Sequence, residues 1–209
     1  MVSEVRGENK KKSYIPGEMR IVAGSLGGRV IQAPPGTDTR PTSEKVRQAI
    51  FNILPDLMGA TVVDLFAGSG ALGLEAISRG AKHVTFVEKS HKAAEVLKAN
   101  IAKLRADNEA EVEVLVGDAL KLAARPMPLA KTPYMLVFLD PPYKSDLAIR
   151  AAQILDKQNY FQTFVGGEDP IVVIEHDDEH VPPDKVGSLL RTDQRTYGDT
   201  MVSFFRKPS

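Results

Sequence analysis

From Gly59 onward, short β-branched runs alternate with amphipathic stretches of helical period. That alternation requires a mostly parallel sheet covered by helices on both faces. It predicts strands at Thr61–Phe66, His83–Glu88, Val112–Val116, Tyr134–Leu139 and Ile171–Glu175. Helices are predicted at Ala71–Arg79, His91–Leu104, Ala119–Ala124 and Ser145–Asp156. Gly80 stands where a C-cap belongs, and Leu97, Ile101 and Leu104 form the inward stripe of the second of these helices. The ending changes character: Leu189–Thr196 and Met201–Arg206 flank Tyr197-Gly198-Asp199-Thr200 and read as an antiparallel hairpin closing the sheet edge. The expected fold is therefore α/β, with a seven-stranded, mostly parallel sheet and a C-terminal antiparallel hairpin.

Three segments follow in order. Residues 1–18 are polar, carry Lys10-Lys11-Lys12 and have no apolar periodicity, so they read as a flexible tail. Residues 19–40 form a small module, in which Met19–Ala23 and Arg29–Ala33 flank Gly24-Ser25-Leu26-Gly27-Gly28, a β-hairpin signal. Residues 41–209 make up the main domain, which opens on a helix capped by Thr42 or Ser43. Val46, Ile50, Ile53 and Leu57 recur along it at helical spacing until Pro55 and Gly59 end it.

Composition narrows the chemistry. The 209 residues, 43% hydrophobic and 26% charged, suit one soluble α/β domain with a small extension. Without an apolar run long enough for a bilayer or a signal core, the sequence predicts no membrane segment and a cytoplasmic location. Zero cysteines exclude disulfides, thiolate nucleophiles and Cys-ligated metals, and four scattered histidines make a poor metal cluster, so no metal is expected. Zero net charge argues at first against a nucleic-acid partner. Residues 1–40, however, hold seven Lys or Arg against four Asp or Glu, so any phosphate footprint lies at the N-terminus.

In open α/β sheets, ligands bind beyond the carboxyl ends of the strands. The first strand runs into Asp64-Leu65-Phe66-Ala67-Gly68-Ser69-Gly70-Ala71-Leu72-Gly73, where glycines permit a tight turn and close approach of backbone to ligand. The second ends at Glu88, a carboxylate able to accept both ribose hydroxyls. The third is followed by Gly117-Asp118, an acceptor for an adenine amino group. By themselves the G-x-G-x-x-G turn and Glu88 define only a nucleoside-containing cofactor, nicotinamide dinucleotides included. Asp64 shifts the balance, because a carboxylate four residues before the first glycine repels a pyrophosphate but suits the ammonium group of S-adenosylmethionine.

The fourth strand ends in Asp140-Pro141-Pro142-Tyr143, which decides the matter. An exocyclic amine on a purine has its lone pair delocalised into the ring and must pyramidalise to attack a methyl carbon. The Asp140 carboxylate and the Pro141 carbonyl can accept its two hydrogens, aim the lone pair and stabilise positive charge growing on nitrogen. Consecutive prolines hold that backbone extended, and Tyr143 offers a face on which an extruded base can stack. The sulfonium is already an activated donor, so no strong base, metal or covalent nucleophile is required.

These residues resemble the class I methyltransferases with a D/N-P-P-Y/F/W motif, and more narrowly the RsmD family of 16S ribosomal RNA guanine-N2 methyltransferases. The resemblance spans residues 19–206: Met19–Gly24, Gly27-Gly28-Arg29, Arg40–Leu54, Asp64–Gly73, Glu88, Asp118, Asp140–Tyr143 and Tyr197-Gly198-Asp199 all match in order and spacing. It implies a Rossmann-like class I methyltransferase fold, S-adenosyl-L-methionine as cofactor, and small-subunit ribosomal RNA as partner, free or in an assembling subunit, for a monomeric enzyme. It further implies a catalytic set of Asp140, Pro141, Pro142 and Tyr143. The implied cofactor set is Asp64, Phe66, Ala67, Gly68, Ser69, Gly70, Glu88, Lys89, Asp118, Ala119 and Asp140. Arg20, Arg29, Arg40 and Thr42 would face RNA, while ordinary solvated charges beside a helix start are the second reading of Arg40 and Arg47.

Three other readings stand beside this one. The same tetrapeptide serves adenine-N6 methylation of DNA or another RNA, and only the N-terminal match favours guanine. A nicotinamide-dependent oxidoreductase would leave Asp140–Tyr143 unexplained. An RNA-binding assembly factor retaining the fold would have no need of an intact tetrapeptide.

Overall fold

The computed structural model describes residues 17–35, 43–125, 136–141, 145–158 and 169–208. The expected tail up to residue 16, together with Arg40, Thr42, Pro142 and Tyr143, lies outside the described residues.

A short hairpin comes first: β1 (Glu18–Arg20) pairs antiparallel with β2 (Val30–Gln32), Met19 facing Ile31 across the register. Both strands are shorter than the pattern predicts. Between them, the amides of Val22, Ala23, Ser25 and Leu26 turn away from the hairpin to Glu75 and Ser78. Helix α1 (Glu44–Ile53) starts at Ser43, whose hydroxyl accepts the Val46 amide at 3.2 Å. Its buried face is Val46, Arg47, Ile50 and Phe51, while Ile53, expected inside, is 38% exposed. The chain becomes extended at Leu54, so the inward stripe is completed by Leu54 and Leu57 instead.

The main sheet is built from β3 (Thr61–Asp64), β4 (His83–Glu88), β5 (Glu111–Val116), β6 (Leu136–Leu139), β7 (Ile171–His176), β8 (Lys185–Val186), β9 (Leu189–Tyr197) and β10 (Thr200–Arg206). Its order is β5-β4-β3-β6-β7-β10-β9-β8, parallel from β5 to β7 and antiparallel from β7 onward. The sheet thus has eight strands where the pattern predicts seven. The extra strand has two residues, too few for any periodicity to register. The predicted hairpin is present, with Gly198 at φ 64° in its turn, but β8 rather than β9 forms the outer edge.

Helices α2 (Ala71–Ser78) and α3 (His91–Leu104) cover one face together with α1 and the N-terminal hairpin, around Val62, Leu74, Phe86, Leu97 and Phe138. Helices α4 (Ala119–Ala123) and α5 (Leu147–Lys157) cover the other, around Val63, Val137, Leu155 and Phe205. Alternate residues of β3 therefore enter different cores, as the period of two demands. Among the described residues, no helix is long and apolar enough to cross a membrane.

The hairpin is fastened to α2 by buried polar groups. Glu75, fully buried, accepts the amides of Val22 at 2.7 Å and Ala23 at 3.0 Å, and its charge is met by Arg79 Nε at 2.9 Å. Arg79 also lies over Phe51, 4.9 Å from the ring centroid, which ties α1 into the same assembly. Arg47, read from sequence as a solvated or RNA-side charge, has no exposed surface, and its Nη2 donates to the Arg20 carbonyl at 2.6 Å. Burial lowers its pKa, and Glu75, Glu44 and Glu175 act in the opposite direction.

Candidate active site

Strand order reverses between β3 and β6: the chain winds outward through β4 and β5 on one side and through β6 and β7 on the other. A crevice at the carboxyl edge follows from that topology. Asp64 pairs in register with Phe86 on β4 and Phe138 on β6. Glu88 lies two residues beyond Phe86 on β4, so period-two alternation carries it and Asp64 onto the same side of the sheet, and Asp140 follows directly on the end of β6. Asp118 lies two residues beyond Val116, the register partner of Glu88. Four acids distant in sequence thus share one sheet edge.

Asp64 is 1% exposed. Its Oδ2 accepts the Gly73 amide at 3.1 Å, which satisfies a first-turn donor of α2, a helix whose N-cap, Gly70, has no side chain to do so. Oδ1 is buried and has no hydrogen-bond partner among the described residues. Burial pushes the carboxyl up to about 7, against the pull of the Gly73 amide and with a further push from the Glu88 charge.

The turn between β3 and α2 is held from two directions. Gly68 donates its amide to Glu88 Oε2 at 2.8 Å, and Ala67 donates to the Val87 carbonyl at 2.9 Å. Gly70 sits at φ 83°, and a Cβ there would fall 2.3 Å from Leu97 Cδ1, so both conformation and space require glycine. Phe66 is half-buried against the α4–α5 side, and Ser69 is buried. Glu88 also accepts the Ser90 amide through Oε1 at 2.6 Å. Both oxygens that the sequence offered to ribose hydroxyls therefore already hold backbone amides, each keeping a second lone pair.

Asp118 is the N-cap of α4, accepting the Leu120 and Lys121 amides through Oδ1 at 3.1 and 3.2 Å. Those bonds, led by that of Lys121 and helped by Lys89, hold its carboxyl below its ordinary range against the effect of desolvation. Lys89 is exposed, with Nζ 3.4 Å from Asp118 Oδ2, and Ala119 is buried in the first turn behind it. Asp140 is half-buried and Pro141 buried beyond the end of β6.

The two expected RNA-side arginines among the described residues, Arg20 and Arg29, have structural tasks. Arg20 donates through Nη1 to Gly28 O at 3.2 Å, and Arg29 through Nη1 to Leu104 O at 2.8 Å, meeting a terminal carbonyl of α3. Sequence reasoning passed over Glu75, Ser78 and Asn100, although each lies at a helical position facing apolar neighbours. It also passed over a cleft beside Pro141, lined by Ser145, Ala148, Ile174, His176 and His180. His176 bridges the Ser203 hydroxyl at 2.9 Å and the Asp177 carbonyl at 2.7 Å, and burial lowers its pKa.

A doubly wound sheet with a glycine turn after its first parallel strand, acids at successive strand tips and an antiparallel end at β10 and β9 has the architecture of a class I methyltransferase. The chain belongs to the family described as Conserved hypothetical protein 95, whose model matches residues 19–206. It is 39% identical over 191 residues to YlbH of Bacillus subtilis, whose name carries a provisional rRNA methyltransferase assignment; the match covers 90% of this chain and 99% of that protein. It is 33% identical over 168 residues to ribosomal RNA small subunit methyltransferase D of Escherichia coli, covering 80% of this chain and 79% of that protein. Among solved structures, yhhF of Escherichia coli superposes with a TM-score of 0.75 at 29% identity, over 92% of this chain and 99% of that one. HI0767 of Haemophilus influenzae gives 0.74 at 30% identity, over 92% and 100%.

Proposed function

We propose that the chain transfers the methyl group of S-adenosyl-L-methionine to the exocyclic N2 of a guanine in small-subunit ribosomal RNA, acting as a cytoplasmic monomer. The observation that carries this reading is the buried Asp64 Oδ1, a carboxylate oxygen at the crevice edge without a partner among the described residues. A buried carboxylate in that position calls for a cation, and the methionine ammonium of the cofactor supplies one. Glu88 would read the ribose with the second lone pair of each oxygen, and Asp118 with Ala119 would border the adenine. Phe66 to Gly70 would line the methionine side, and Lys89 would shield the acids from each other.

When bound, the cofactor supplies a methyl group already activated by its sulfonium. The chain's own part is to orient the acceptor. Asp140 and the Pro141 carbonyl would accept the two amino hydrogens, directing the nitrogen lone pair and stabilising its developing charge. Pro142 would keep that carbonyl aimed, and Tyr143 would stack on the extruded base. Arg20 and Arg29, in the module of residues 19–40, would meet RNA phosphates, and Arg40 and Thr42 would lie at the rim joining the cofactor and RNA sites.

Guanine is favoured over adenine by the N-terminal resemblance in residues 19–54, and the relatives named as ribosomal RNA small subunit methyltransferases support ribosomal RNA as the substrate. The test is to incubate the full chain with methyl-labelled cofactor and small-subunit ribosomal RNA from cells lacking the modification, then identify the labelled nucleoside. N2-methylguanosine is expected; N6-methyladenosine would transfer the assignment to the adenine reading.

A further inference from the structure

Asn100, on α3, is 2% exposed and spends its whole amide on two segments far apart in sequence. Its Oδ1 accepts the Gln32 amide at 2.9 Å, and its Nδ2 donates to the Gln32 carbonyl at 2.9 Å and to the Ser69 carbonyl at 2.9 Å. Gln32 ends the N-terminal hairpin, and Ser69 stands between the two glycines of the cofactor turn. Both hydrogens leave one planar nitrogen at a fixed angle, so the side chain cannot follow a displaced Ser69 carbonyl and keep its paired contact with Gln32.

The surroundings reinforce this link. Leu97, one helical turn before Asn100, packs against Gly70 so closely that no Cβ fits between them. Arg29 attaches the hairpin to the end of the same helix through Leu104 O. The hairpin therefore rests on α2 and α3, the two helices that directly follow the glycine turn and Glu88.

We propose that Asn100 is a positioning residue that couples the hairpin to the glycine turn, so that a nucleoside cofactor on the turn and RNA on the hairpin each strengthen binding of the other. The proposal rests on the reading of those two segments as cofactor and RNA surfaces. A ligand that orders the turn also orders Gln32, and the second ligand then meets a hairpin whose freedom is already reduced.

The experiment uses the full chain, S-adenosylhomocysteine as a non-reactive cofactor, and small-subunit ribosomal RNA as the second probe. In the native protein, saturating S-adenosylhomocysteine should tighten RNA binding by about fivefold or more, the lower end of ordinary coupling. In Asn100→Ala that ratio should fall to about one, while each separate affinity stays within about threefold. A purely scaffolding role would lower the melting temperature or both affinities and leave the ratio intact, and that result would overturn the proposal. So would a ratio of one in the native protein. If Asn100→Ala does not fold, hydrogen exchange on the native chain decides: S-adenosylhomocysteine should slow the Gln32 amide by about tenfold, and an unchanged rate would refute the coupling. Failure of S-adenosylhomocysteine to bind the native chain at all would sink the proposed function itself, an outcome distinct from binding without coupling.

Discussion

Glu75 Oε2, on a fully buried side chain, accepts the backbone amide of half-buried Val22 at 2.7 Å, across 53 residues of sequence. A helix of the catalytic sheet and the N-terminal hairpin are thereby one mechanical unit. Glu75→Ala leaves the amides of Val22 and Ala23 and the Arg79 guanidinium without their acceptor. It should cost about 2–3 kcal/mol of stability, the range for losing hydrogen bonds to a charged acceptor, since Arg79 keeps access to water. Denaturant titration measures it, and a loss below about 1 kcal/mol would mean that the hairpin is dispensable to the fold.

Gly24 offers a second way to separate hairpin from core. It lies at φ 81°, and a Cβ would come within 1.8 Å of the Ser78 carbonyl, a backbone atom that cannot give way. Gly24→Ala should therefore detach residues 17–35, adding the left-handed backbone penalty of about 1–2 kcal/mol to the clash. Limited proteolysis should cut first within the hairpin, and RNA affinity should fall while cofactor affinity is retained. Protection of the hairpin equal to that of the native chain would contradict the close packing on α2.

Asp64 predicts a pH dependence. Burial pushes its carboxyl from an ordinary 3.8 up to about 7 in the folded chain. The folded state binds more protons than the unfolded state between those values, so stability falls as pH rises from about 4 to about 7 and levels off above. Asp64→Asn should flatten that slope. A cationic cofactor group beside the carboxylate reverses the preference, so cofactor binding should strengthen as pH rises toward 7 and release a proton. Calorimetry in buffers of different ionisation enthalpy reads that proton directly, and a heat independent of buffer at pH 6 would remove Asp64 from the ammonium site.

Asp140 and Glu88 should separate catalysis from cofactor binding. Asp140→Ala is expected to lower kcat by about 100-fold or more, the usual effect of removing a group aimed at developing charge, with cofactor affinity little changed. Glu88→Ala removes the acceptor of both Gly68 and Ser90 and should weaken the cofactor by about 10–100-fold, equivalent to one or two charge-assisted hydrogen bonds. Parallel single-turnover and calorimetric measurements distinguish the two, and equal losses of rate and affinity in both variants would undo the division of roles.

The sequence by itself determined the layered architecture, because a period of two in the strands and 3.6 in the helices is written into which residues are apolar. It also determined the strand tips: Asp64, Glu88, Asp118 and Asp140 each follow a recognisable run, and parallel connectivity then forces those tips to one edge. It could not show that Arg47 is buried, since a charge beside a helix start looks the same whether it faces water or the Arg20 carbonyl. Nor could it show that Glu75 and Asn100 face the hairpin. Their partners are backbone groups of Val22, Ala23, Gln32 and Ser69, and backbone groups are identical in every residue, leaving no trace in side-chain pattern. Only the tertiary structure, by bringing those amides and carbonyls alongside α2 and α3, decided which polar side chains hold the molecule together.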